Sequence, residues 1–260
     1  MNNSLLQSAR QLRLSGLLTS LELRLQEAVS HQLSHEQFLE ILFQDELHVR
    51  QQRLIAKRTK AAAFRDLKTL EDFDWQFNPT IKRGEIYQLA TGQFVRQHAD
   101  VLFLGPPGVG KSHLAQAIGY HVIKTGCEVF YRSIFDLVRD LQAELSPAQL
   151  DRALAKYLKP ELLVIDDMGV KSLPAKAGEV LLEVILRRYE NRSTMMTSNR
   201  PIEDWGKLLN DVPAATAILD RFLHHAEIIQ ITGPSYRLKN ARFASALKEP
   251  KNPKNKETNA

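Results

Sequence analysis

The sequence has little sulfur and no long apolar run. One cysteine, Cys127, stands among 260 residues, which excludes an intramolecular disulfide and a cysteine-based metal site. It sits in Cys127-Glu128-Val129-Phe130-Tyr131 and reads as buried filler. The N-terminus lacks a hydrophobic stretch of signal-peptide length, and no segment is long enough to span a bilayer. The expectation is a cytoplasmic protein with no membrane partner. There is no internal repeat, and no N-K-x-D guanine-reading element follows a late strand. A GTPase is therefore set aside. No lid with mobile arginines is visible, which counts against a small-molecule phosphotransferase. Acidic residues are missing from one place in particular: Asp66 is the only one between Arg50 and Lys68.

What is present suits a soluble globular protein, with 43% hydrophobic and 25% charged residues. The length accommodates one α/β domain plus a smaller unit. A formal charge of +5 leans toward a polyanionic partner. The centre of the chain is Gly105-Pro106-Pro107-Gly108-Val109-Gly110-Lys111-Ser112, followed by His113. An apolar run, Val101–Leu104, precedes it as a buried strand, and a helix begins behind it. That is the context a phosphate-binding loop requires. Glycines let successive N–H groups turn toward one anion, and the helix adds its positive end. Lys111 then reaches the β- and γ-phosphates and Ser112 holds Mg²⁺.

Residues 4–30 read as one amphipathic helix, with Leu14, Leu17, Leu18, Leu21 and Leu25 on its apolar face. Ser34 and Gln37 form a capping-box signal for a second helix, which buries Phe38, Ile41, Leu42 and Val49. Its continuation carries Arg50, Arg53, Lys57, Arg58 and Lys60. At about 100° per residue, Arg50, Arg53, Lys57 and Lys60 share about one quarter of the circumference. This one-sided, unpaired stripe suits the phosphates of DNA. The domain boundary is placed at 67/68, ahead of the aromatic, acidic stretch Thr69–Trp75. A helix is expected over 80–97, after which strands and helices alternate, implying a parallel sheet. Residues 248–260 read as a disordered basic tail.

Asp166 and Asp167 end the apolar run Leu162–Ile165, where ligands bind in open α/β sheets. Asp166 is assigned to the metal and Asp167 to the attacking water. Asn199, at the end of a later strand, can bond the γ-phosphate or that water. Arg221 can enter a neighbouring subunit's site, and Arg237 is a second candidate phosphate sensor. Arg187 and Arg188 read as a solvated helix face. His224 and His225 are adjacent, not at ligand spacing on one helix face, and are not read as a metal site.

Together, Leu104–Ser112, Leu162–Gly169, Arg188-Tyr189-Glu190, Thr197-Ser198-Asn199, Leu219-Asp220-Arg221-Phe222 and Gly233–Arg237 resemble the IstB-type transposition helper ATPases. These belong to the AAA+ superfamily, near the DnaC-type helicase loaders and DnaA-type initiators. The resemblance covers roughly residues 69–242. It implies an AAA+ P-loop three-layer sandwich with strand order 5-1-4-3-2, here behind a small all-helical N-terminal domain. It also implies ATP and Mg²⁺ as cofactors, self-assembly on duplex DNA, and a transposase of the same mobile element as partner. By position, Gly105–Ser112 match Walker A, Asp166-Asp167 Walker B, Asn199 sensor 1, Arg221 the arginine finger and Arg237 sensor 2. Asp167 stands where a glutamate is usual, and residues 232–260 are too few for the usual helical lid. A replicative helicase loader and a non-enzymatic ATP-binding DNA clamp are the alternatives.

Overall fold

Helically spaced leucines dominate the first sixty residues, and short β-branched runs recur after residue 100. The computed structural model, which describes residues 3–143 and 146–239, follows that division. It forms two compact units, Met1–Ala61 and Ala62–Ala260.

The first unit contains α1 (Asn3–Gln11), α2 (Ser15–Ser30) and α3 (His35–Ala61). The single helix expected over 4–30 is broken at residues 12–14, where Arg13 adopts φ 56°. Arg13 N donates to Arg10 O at 3.0 Å and Leu14 N to Ala9 O at 2.9 Å. These bonds satisfy the end of α1 in the Schellman manner. The turn lets Leu14 pack beside Ala9, Leu17, Leu21 and Leu42, the unit's small core. Gly16, inside α2, marks a close approach. A Cβ there would lie 2.8 Å from Val49 Cβ and 2.9 Å from Glu46 Cα, so glycine allows α2 and α3 to touch. Glu46 is 4% exposed. Its carboxylate accepts from Gly16 N at 2.6 Å and Leu17 N at 3.0 Å, capping α2 from α3. The Ser34–Gln37 capping box forms as expected. Leu25 is exposed instead of lying on the buried face.

The second unit runs α4 (Arg83–Ala90), α5 (Gln93–Arg96), β1 (Asp100–Leu104), α6 (Lys111–Lys124), β2 (Val129–Ser133), α7 (Ile134–Gln142) and α8 (Pro147–Leu158). It continues with β3 (Leu162–Met168), α9 (Ala177–Arg188), β4 (Ser193–Ser198), α10 (Trp205–Leu209), α11 (Val212–His224) and β5 (Ala226–Gln230). The helix expected over 80–97 is two helices, because Gly92 turns the chain at φ 73° beside Thr125. Helix α10, built on the fully buried Trp205, was not anticipated.

All strand pairs are parallel, in the order β2-β3-β4-β1-β5. Read from the other edge, this is the 5-1-4-3-2 order implied by the resemblance. Helices α7–α11 and Leu102, Leu163, Ile165 and Met196 of the sheet share one buried cluster. Helix α6 packs against β2, β3 and β4, with α4 against it. Strand alternation sends Val164 to the face opposite Leu163 and Ile165.

The division between units falls at 61/62, ahead of the 67/68 expected from composition. Ala62 is fully buried and its carbonyl accepts from Tyr131 N at 2.8 Å, so the chain beyond α3 already belongs to the second unit. The segment 248–260 lies outside the described residues. Among those described, no helix is long and apolar enough to cross a membrane.

Candidate nucleotide site

Strand β1 delivers the chain into a loop whose shape depends on glycine. Gly108 has φ 82°, and a Cβ there would collide with Ser235 Oγ. Gly108 O also accepts from Tyr236 N at 2.9 Å, so the 233–237 segment closes directly on the loop. Gly110 has φ 106°, and a Cβ would lie 2.7 Å from Phe73 Cε2. Helix α6 then starts at Lys111, with its free N–H groups facing the loop.

Lys111 is 5% exposed, and its Nζ donates to Gly105 O at 2.7 Å and Pro106 O at 2.8 Å. Burial lowers its pKa to about 8, with Asp166 pulling the other way and Arg237 adding to the fall. Ser112 Oγ donates to Asp166 Oδ1 at 2.9 Å. Asp166 is fully buried and also accepts from the hydroxyls of Thr197 and Tyr131. Burial, reinforced by the Asp166 charge, raises the Tyr131 pKa and keeps its proton in place as a donor. Asp167 follows at φ 67°, and its Oδ2 accepts from Arg65 Nη2 at 2.7 Å.

Lys111, Ser112, Thr197, Asp167 and Arg65 line a cavity of about 1090 Å³, together with Phe73, Asn199 and Arg237, and the buried Asp166 is joined to it through Ser112. Buried lysine, glycine-shaped loop and helix start fit a polyphosphate. The paired oxygens of Ser112 and Asp166 fit a hard divalent cation such as Mg²⁺. His113 lines the same cavity, but its Nε2 lies 2.9 Å from Thr69 O and its ring packs edge-on to Phe73.

The sequence matches the family of IstB-like ATP binding proteins over residues 7–244. The chain belongs to the IstB-like family. It is 37% identical over 216 residues to the insertion sequence IS5376 ATP-binding protein of Geobacillus stearothermophilus, covering 83% of this chain and 86% of that protein. It is 36% identical over 237 residues to the insertion sequence IS21 ATP-binding protein of Pseudomonas aeruginosa, covering 91% and 89%. The crystal structure of DnaI superposes with a TM-score of 0.52 at 24% identity, over 64% of this chain and 91% of that one. That likeness concerns the fold alone.

Other predicted site residues of this IstB-like chain lie elsewhere. Arg221, on α11, is not among the cavity-lining residues; its Nη1 donates to Ala217 O at 3.2 Å and stands 3.5 Å from Asp220. The basic stripe of α3 is not wholly unpaired. Arg50 Nε bonds Glu46 at 2.7 Å and Arg53 donates to the Ser15 hydroxyl, whereas Lys57 and Lys60 are exposed and Arg58 is half-buried. Arg50 is engaged because Glu46, one turn earlier, is buried and needs a counter-charge.

Arg188 is not on a solvated face. It is 1% exposed and donates to Tyr157 O at 2.7 Å, Pro160 O at 3.0 Å and Thr194 Oγ1 at 3.1 Å. It joins the approaches to β3 and β4, while Arg187 stays outside in an ion pair with Glu183. Burial lowers the Arg188 pKa to about 9 against the pull of Asp100.

His224 and His225 gain a third neighbour, Glu190, with one ligand atom of each residue within 4.8 Å of the others. All three are exposed. Tyr189 and His224 share a hydrogen bond of 2.7 Å, and His225 Nε2 approaches Glu190 at 3.6 Å.

Sequence reading missed Arg65, Phe73, Tyr131 and Thr197. Thr197 had a usable signal, being two residues before Asn199 on a strand that pairs with the phosphate-loop strand at Phe103. Arg65 had none, since its partner lies 102 positions away.

Proposed function

We propose that this IstB-like protein is an ATP-dependent DNA-binding helper of transposition, working in the cytoplasm, that assembles on duplex DNA, remodels it and recruits the transposase of its own mobile element. The observation that carries this reading is that Lys111 and Ser112 line one cavity, with the buried Asp166 bonded to Ser112. It is supported by the match to insertion-sequence ATP-binding proteins over most of the chain.

Lys111 exchanges its two carbonyl partners for phosphate oxygens, which accept more strongly from an ammonium. Ser112 and Asp166 would hold Mg²⁺, with Thr197 and Tyr131 keeping the Asp166 carboxylate oriented. The ion would supply neutralisation of phosphate charge. Asp167 orients a water whose oxygen attacks the γ-phosphorus as the bond to the bridging oxygen of ADP breaks. The proton lost by the water passes through Asp167 to solvent. Asn199 and Arg237 touch the γ-phosphate side, and Arg221 reaches the site of a neighbouring copy. Asp167 is one methylene shorter than the usual glutamate, so turnover is slow and ATP binding is the main switch. Arg50, Arg53, Lys57, Arg58 and Lys60 meet backbone phosphates, with little preference for sequence.

Sedimentation with random duplex and single-stranded DNA, under ATP, ADP or no nucleotide, tests the reading. ATP-dependent, sequence-indifferent, multi-subunit binding to duplex is expected, and Lys111→Ala abolishes it. Preference for single strands points to a helicase loader instead. No DNA binding in any nucleotide state overturns the proposal.

A further inference from the structure

Helix α11 ends on two adjacent histidines, a spacing that would point them about 100° apart on a regular helix. The end of the helix brings them together instead. His224 is its last residue, and His225 leaves it at φ −124° and ψ 20°. Their ring centroids are 4.0 Å apart. The third residue comes from the turn between α9 and β4. Glu190 stands there at φ 58°, a left-handed angle that a glutamate side chain disfavours. One ligand atom from each of the three lies within 4.8 Å of the others. His225 Nε2 and Glu190 Oε1 are 3.6 Å apart, too far for a hydrogen bond. That separation is close to the ligand–ligand edge of a tetrahedral Zn²⁺ site, about 3.3–3.4 Å for bonds of about 2.0–2.1 Å. Both sides of the cluster are fixed from behind. Asp100 N, at the start of β1, donates to His225 O at 3.1 Å. The turn starts at the buried Arg188, which is bonded to Tyr157 O and Pro160 O, and Arg192 N donates back to Arg188 O at 2.9 Å. Tyr189 Oη lies 2.7 Å from His224 Nδ1. In the tautomer that donates Nδ1–H to this oxygen, Nε2 keeps the free lone pair, the arrangement usual for a metal-bound histidine.

We propose that Glu190, His224 and His225 bind one Zn²⁺-like cation through two imidazole nitrogens and a carboxylate oxygen, and that the ion clamps the end of α11 to the α9–β4 turn. Water fills the remaining position, since all three side chains are exposed. Imidazole ligands favour such a cation over Mg²⁺, which prefers oxygen. The C-terminus of α11 adds partial negative charge beside the ion. The cluster lies where β1, β4 and β5 begin, whereas the phosphate loop follows the far end of β1. One strand length, about 15–20 Å, separates the two. The inference therefore goes beyond the function proposed above and does not depend on it.

Titration of Zn²⁺ into the full chain against a chromophoric chelator, without nucleotide and with Mg²⁺ in excess, tests the site. Wild type is expected to bind one Zn²⁺. His225→Ala and Glu190→Gly should each weaken that binding at least about tenfold, since losing even an outer-shell partner of a metal costs that much. His35→Ala, at an exposed histidine of the other unit, should leave it unchanged. Glycine at position 190 relieves the left-handed backbone, so Glu190→Gly should keep the metal-free Tm while losing the metal. Amide hydrogen exchange reads the clamp itself. Zn²⁺ should slow exchange over 189–192 and 222–226 in wild type and leave it unaltered in Glu190→Gly. Absence of Zn²⁺ binding, or binding and protection that survive both His225→Ala and Glu190→Gly, overturns the inference. Neither ATP nor DNA enters the experiment, so its failure leaves the proposed function standing.

Discussion

Lys111, Ser112 and Asp166 each have a replaceable hydrogen-bond partner, loop carbonyls for Lys111 and one another for Ser112 and Asp166. The Lys111 ammonium is bonded to two loop carbonyls, which a polyphosphate can outcompete. Lys111→Ala therefore removes the only buried cation among the described residues that line the cavity. Affinity for a fluorescent ATP analogue should fall by at least about a hundredfold, given the strength of charge-assisted bonds. Tyr131→Phe makes a subtler cut. It deletes one of three hydroxyls donated to the buried Asp166 carboxylate. Leaving that acceptor under-satisfied should cost about 1–3 kcal/mol of stability, read from urea unfolding. The same variant should weaken the Mg²⁺ dependence of nucleotide binding, because the carboxylate loses part of its orientation. All three donors come from different elements, so nothing in the local sequence around Asp166 announces them.

At the scale of elements, α2 and α3 are held together by a glycine contact and a carboxylate cap. Gly16→Ala places a methyl within 3.0 Å of Asp45 O as well as against Val49 and Glu46. The overpacking should destabilise the N-terminal unit by about 1–3 kcal/mol, seen as faster amide exchange over residues 15–30. Glu46 supplies the cap. Burial by itself would raise its pKa, but the Leu17 amide, the Arg50 guanidinium and the Gly16 amide together hold it below the ordinary carboxylate value. A carboxylate with a depressed folded pKa contributes stability above its unfolded pKa and loses it as pH falls through the folded value. The α2–α3 pair should accordingly loosen on acidification below the usual carboxylate range. Glu46→Gln should be looser at neutral pH and show a flatter acid response over the same residues.

At the scale of the whole molecule, in the proposed function the site is completed by an arginine from a neighbouring copy. Arg221 is on α11, outside the cavity lining of its own chain. Arg221→Ala should keep nucleotide and DNA binding while lowering DNA-stimulated hydrolysis by about 10³-fold or more, the range of arginine fingers. Mixing Arg221→Ala with Lys111→Ala protein should restore part of the rate, because some sites then combine an intact loop with an intact arginine. A mixture that stays as inactive as its components would place Arg221 in a different role. DNA binding should show a steep salt dependence. Reversing Lys57 and Lys60 to glutamate should flatten the slope by about 0.9 for each DNA phosphate that is no longer neutralised.

The parts legible in the sequence are those that a few consecutive residues encode. Val101–Leu104 can only be satisfied as a buried strand, and Gly108 and Gly110 permit backbone angles that other residues resist. Lys111-Ser112 then falls at the first turn of a helix whatever the rest of the chain does. Asp166 could be placed because it ends an apolar run, and strand ends are where an open parallel sheet binds its ligands. The boundaries that slipped, at 12–14 and at Gly92, are turns whose reason is a neighbour outside the window: the leucine core in one case and Thr125 in the other. Arg188 looked like surface because its helix reads as amphipathic up to that residue, yet the carbonyls that bury it belong to α8 and to the approaches to β3 and β4. Arg65 meets Asp167 across 102 positions only because the sheet order β2-β3-β4-β1-β5 sets β2 beside β3 and Ala62 is bonded to β2. Local torsions and hydrophobic period determined the loop, the strands and where Lys111, Ser112 and Asp166 stand along them. Pairing between distant strands and packing of their helices decided which charges are buried, which are paired, and which carboxylate is held.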